Sequence, residues 1–170
     1  MSRGIVALVV TSIAIVALQI TVVSPLRVSG VVIMLVWLWP LALGLTGATL
    51  IAMFAGLCTG LLFDAHSYSP YGLSAVVGAL LALSISLLAR EGVGDLDGSA
   101  WWMPSVLLGV GGVLAPVLYV VVGTLSGHGS LWRASLLTTM ALNAVAFVVL
   151  ARPMARLAQR VAAVGGWARG

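Results

Sequence analysis

The chain has 170 residues, of which 62% are hydrophobic and only 7% charged, and its mean hydropathy of +1.21 exceeds what a soluble domain of this size can bury. The formal charge of +4 and the pI near 10.2 come from eight arginines, placed singly or near the C-terminus, so no basic patch interleaved with aromatics supports nucleic-acid binding. The one cysteine, Cys58, excludes an intrachain disulfide and, lying inside an apolar run, reads as a small buried core residue.

Arg3 precedes Gly4 to Val23, an apolar run of about the 20 residues that a spanning helix needs. The flank Val22-Val23-Ser24-Pro25 lacks a small-x-small cleavage pattern, so a retained first helix is expected rather than a signal peptide. Ser12 and Gln19 are seven apart and share a face, which points them into a bundle. Beyond Arg27 the chain stays apolar from Val28 to Phe63, too long for one helix at roughly 1.5 Å per residue. Trp37 and Trp39 read as interface-seeking aromatics and Pro40 as a breaker, which splits the run into two short helices, near Val28 to Trp39 or slightly beyond and Gly47 to Phe63, with room for one of them to be tilted or only partly spanning.

Small residues then stand at every fourth position, Ala48, Ala52, Gly56 and Gly60, and the next step of that ladder is Asp64. After a polar turn with His66, Tyr68, Pro70, Tyr71 and Gly72 they recur as Ser74, Gly78, Ala82 and Ser86 on a fourth helix ending near Ala89. Lipid supplies little hydrophobic drive between helices, so small residues that let backbones approach mark both ladders as packing faces. Arg90 to Ser99 is the one clearly hydrophilic loop and holds Glu91, Asp95 and Asp97. A fifth helix follows from Trp101 to about Gly123, with Gly109 and Gly112 marking close approach of a neighbour. The sixth is expected over Leu131 to Leu150. Ser135, Thr139 and Asn143 lie along it at fourth positions, and the Asn143 amide requires a partner inside the bundle. Arg152, Arg156 and Arg160, again spaced by four, open a basic tail over residues 153–170, interrupted by Pro153; it reads either as a stripe against anionic lipid or as a plain cytoplasmic tail.

The expected architecture is an all-α polytopic membrane protein with about six transmembrane helices: a single bundle over residues 1–152, then the tail. With both termini cytoplasmic, Arg3, Arg90, Arg152, Arg156, Arg160 and Arg169 lie inside and Arg27 and Arg133 outside, in keeping with the positive-inside rule. The Asp64 turn and the His128 loop then face outward. No HExxH, GxSxG or Walker loop is present, and no paired Cys or His at ligand spacing, so neither catalysis nor a metal or other cofactor is indicated. Asp64 is expected to cap a helix or to pair with Arg27 or Arg133. Few ionisable residues lie inside the spans, which leaves little for a proton relay.

The segment GLCTGLLFDAHSYSPYGLSAVVGALLAL resembles the central signature of the rod-shape-determining MreD family, in which a Gly-rich helix ends in Leu-Leu-x-Asp, followed by a turn and Pro-x-Gly; the matching positions are Leu61, Leu62, Asp64, Pro70 and Gly72. The resemblance implies a non-enzymatic scaffold of the bacterial cell-elongation machinery in the inner membrane. Such a protein binds the bitopic partner MreC and helps couple MreB filaments to a RodA-type polymerase and its transpeptidase. It also implies the fold of the substrate-binding subunits of energy-coupling-factor transporters. Gly56, Gly60, Asp64, Pro70, Gly72 and Gly78 are then the residues expected for partner binding or for organising the turn. The alternative is a small-molecule-binding subunit of a vitamin-type transporter, with His66, Thr139 and Asn143, beside Asp64, as the possible pocket.

Overall fold

The computed structural model describes residues 2–26, 31–67, 70–92, 102–127 and 135–167, and among these the protein is all-helical. Helix α1 (Ser2–Leu18) runs into a π-helical turn, Gln19–Val23; α2 (Leu35–Gly44), α3 (Thr49–Asp64), α4 (Leu73–Gly92), α5 (Met103–Leu125) and α6 (Leu136–Gly165) follow. Three segments, Arg3–Val23, Met103–Leu125 and Leu136–Gly165, are long and apolar enough to cross a membrane. The others are shorter: α2, with 10 residues, is about 15 Å long, half the roughly 30 Å hydrocarbon core. Tyr68, Trp101, Arg27, His128, Arg133 and Arg169, and the acidic loop beyond Gly92, lie outside the described residues.

Successive helices alternate in direction. Gly4 at the start of α1 meets Gly165 at the end of α6, Thr49 at the start of α3 bonds Ser86 near the end of α4, and Gly112 of α5 meets Asn143 of α6. The termini therefore share one end of the bundle, and the α3–α4 turn lies at the other.

Helix α2 is the centre. Its sequence LVWLWPLALG is apolar on every side, and a helix without a polar face is stable only when enclosed; all ten residues are buried, against α4, α3, α6, α5 and α1. This overturns two expectations. Trp37 and Trp39 are core residues, 3% and 0% exposed, rather than interface anchors. Trp39 Nε1 donates to Ser12 Oγ of α1 at 3.1 Å, and the Trp37 ring packs on Tyr119 with centroids 5.6 Å apart. Pro40 does not break the helix, which continues to Gly44 because packing on all sides outweighs the one ladder bond a proline removes. The reversal comes at Leu45–Ala48, where Thr46 Oγ1 donates to the Leu43 carbonyl at 2.7 Å and Gly47 adopts φ 76°.

The two small-residue ladders face each other. A Cβ on Gly56 would stand 2.6 Å from the Gly78 carbonyl carbon, and one on Gly60 would overlap the Ala75 backbone. Ala52 and Ala82 are fully buried, and a 2.5 Å hydroxyl pair, Thr49–Ser86, closes the far end. This face is consumed within the hairpin and is not open to a partner. Cys58 falls on the opposite side of α3 and is exposed, not buried as expected: the inward face is Ala52, Ala55, Gly56, Thr59, Gly60 and Phe63, and position 58 is out of phase with it.

Helices α5 and α6 pair through Gly109, against Val148, and Gly112, against the Asn143 and Ala144 backbone. Helix α6 runs unbroken past Leu150 and through Pro153 to Gly165, so most of the expected tail is helix. Pro153 is exposed, while Ala151, Ala158, Val161 and Ala162 are buried and hold the helix in place. Gly166 ends it at φ 68°, with Trp167 N–H returning to the Ala162 carbonyl at 2.9 Å.

Candidate functional site

Polar side chains converge where α1 and α3 end and α4 begins. The π turn after α1 admits one more residue per turn, and in it Gln19 is fully buried. Its Oε1 accepts from Leu35 N–H at 2.7 Å, and its Nε2 donates to the Ile33 carbonyl at 3.0 Å. From α6, the equally buried Asn143 accepts from Met34 N–H at 2.9 Å through Oδ1 and donates to the Thr139 carbonyl at 2.9 Å. Two amides, one from each flanking helix, thus clamp the segment just before α2. They serve the donors at the helix N-terminus that no intrahelical carbonyl can reach.

Asp64, the last residue of α3, is 2% exposed, and its Oδ2 accepts from Ser74 N–H at 2.9 Å. An anion at the start of α4 satisfies an orphan donor and complements the helix dipole, so the cap role expected of Asp64 is present. Pro70 accepts from Leu73 N–H at 3.2 Å, and Gly72, at φ 89°, makes the bend that brings α4 back to Asp64. Asp64, Pro70 and Gly72 are thereby joined in one turn.

Beside this turn lies a cavity of about 390 Å³ lined by Ile20, Ser24, Val32, Met34, Phe63, His66 and Ser67. Of the residues expected to form a pocket, His66 lines it; Asp64, Thr139 and Asn143 do not. The Thr139 hydroxyl donates to the Ser135 carbonyl at 2.8 Å, and the Asn143 amide is occupied by backbone on both sides. Asn143 shapes the cavity indirectly, by fixing Met34. Ile20, Ser24, Val32 and Met34 were not legible as lining residues, because the clamp that positions them joins backbone groups to distant amides. The walls are mainly apolar, with an imidazole and two hydroxyls as polar groups, a set that suits a small, largely apolar molecule. Ser67 Oγ donates to the Phe63 carbonyl at 3.0 Å, and among the described residues no three His, Cys, Asp or Glu side chains come together. No family model, no curated protein and no solved structure matches the chain.

Proposed function

We propose that the chain is a non-enzymatic scaffold of the MreD type in the bacterial inner membrane, binding an MreC-like bitopic protein and helping to couple MreB-type filaments to a RodA-type polymerase and its transpeptidase. The observation that carries this reading is the α3–α4 hairpin. The motif residues behind the resemblance, Asp64, Pro70 and Gly72, build one turn around a buried carboxylate, and the Asp64 side chain is used as the cap of α4. Six crossings are proposed, with α2 and the hairpin completing what α1, α5 and α6 begin, and with both termini cytoplasmic, where most of the arginines then lie. Because the glycine ladders are used within the hairpin, a partner's spanning helix is assigned to an outer face, such as the side of α3 that carries Leu50, Phe54 and Leu61.

The test is detergent co-purification of the tagged protein from its own membranes, with mass spectrometry of what accompanies it. Recovery of an MreC-like protein and cell-wall polymerases supports the scaffold, and its loss in Leu50→Asn/Phe54→Asn places the interface on α3. The 390 Å³ cavity favours a second reading, a small-molecule-binding subunit of a vitamin-type transporter. Recovery of an ATPase pair or a retained small molecule, without cell-wall proteins, replaces the first reading with the second.

A further inference from the structure

We propose that the start of α1 and the end of α6 form a paired element that binds anionic phospholipid at the membrane surface. The two ends lie antiparallel: a Cβ on Gly4 would overlap Gly165 and stand 3.3 Å from the Trp167 ring, and Ala7, Leu8, Leu157 and Val161 share one apolar cluster. At about 1.5 Å per residue from that contact, Arg160 lies roughly 7 Å and Arg156 roughly 13 Å back along α6, at the depth of Val9 and Ile13 of α1. All four are exposed, Val9 at 48% and Ile13 at 53%, and so are Ile5, Val6 and Val10.

Charged and apolar side chains therefore stand exposed at the same depth. Water would strand the isoleucines and valines of α1, and the hydrocarbon core would strand the guanidinium groups of α6. The outer part of the membrane accommodates both when the arginine stems run along the apolar surface and lift the guanidinium groups to the phosphates, while the α1 side chains stay among acyl chains. Arg156 and Arg160 are one helical turn apart, exposed, and planar forks suited to phosphate oxygens, and neither α1 nor α6 carries an acidic residue to neutralise them. The paired helix ends carry Arg3, Arg152, Arg156 and Arg160 and no acidic residue of their own, and this excess of positive charge selects a lipid of net negative charge over a zwitterionic one.

The full chain is reconstituted in phosphatidylcholine vesicles with trace spin-labelled phosphatidylglycerol or spin-labelled phosphatidylcholine, and the motionally restricted fraction of each is measured. Wild type is expected to select the anionic label about fivefold, falling toward one in 1 M salt. Arg156→Gln/Arg160→Gln is expected to lose the preference and Arg156→Lys/Arg160→Lys to keep most of it. Absence of preference in wild type, preference unmoved by salt, or preference retained in the glutamine variant each overturns the proposal. So does competition by polyglutamate in a protein without lipid preference, which would assign the stripe to an acidic protein partner. The wild-type salt series decides the matter even if the glutamine variant fails to fold.

Discussion

Two buried amides carry a large share of the specificity at the α2 entrance. Asn143→Leu keeps the branching at Cγ but leaves Met34 N–H unpaired, and Gln19→Leu removes the partners of Leu35 N–H and the Ile33 carbonyl. Each is expected to lower the unfolding free energy in detergent by about 1–3 kcal/mol, and the double variant to depart from additivity by about 0.5 kcal/mol or more, since both hold one segment. The tryptophans of α2 offer a contrast. Trp39→Phe removes a satisfied hydrogen bond and strands the Ser12 hydroxyl, whereas the Trp37 Nε1–H has no partner among the described residues, so Trp37→Phe removes a donor that burial already penalises. Thermal unfolding is expected to show the larger loss for Trp39→Phe. The need for a partner at Asn143 was legible, because an amide inside an apolar run cannot stay unpaired. Its identity was not: Met34 N–H lies 109 positions away and is a backbone group with no signature of its own.

For the hairpin, legibility was higher, because both ladders and the capping aspartate are local in sequence and obey one helical period. Gly60→Leu drives a side chain into the Ala75 backbone and is expected to abolish accumulation of folded protein in the membrane, measured by detergent-stable yield. Asp64→Ala is expected to cost about 1 kcal/mol and Asp64→Asn less, since an amide oxygen still accepts from Ser74 N–H; chemical unfolding of both checks the order. Helix α2 escaped the same reading for a physical reason. Aromatic-belt and proline-breaker rules describe helices that meet lipid or water, and α2 meets neither, so Trp37, Trp39 and Pro40 obey the rules of a protein core. Pro153 misled in the opposite direction, because the buried side of α6 holds the helix together across it.

At the scale of the whole molecule, the single cysteine reports on immersion. Cys58 is exposed on α3 between Leu57 and Leu61, and under the six-crossing reading that surface faces acyl chains. In native membranes Cys58 is expected to resist a membrane-impermeant maleimide and, after solubilisation and mild unfolding, to react to completion, as read by mass shift on a gel; rapid labelling in intact vesicles would contradict immersion of α3. The enclosure of α2 also bears on how the protein is made. A ten-residue segment surrounded by five other helices cannot be released into lipid as an independent unit, and the Met34 N–H acquires its acceptor only when residue 143 has left the ribosome. The α2 entrance is therefore completed only after the last helix is synthesised, and loss of α6 by C-terminal truncation is expected to unsettle one of the older parts of the chain along with the newest.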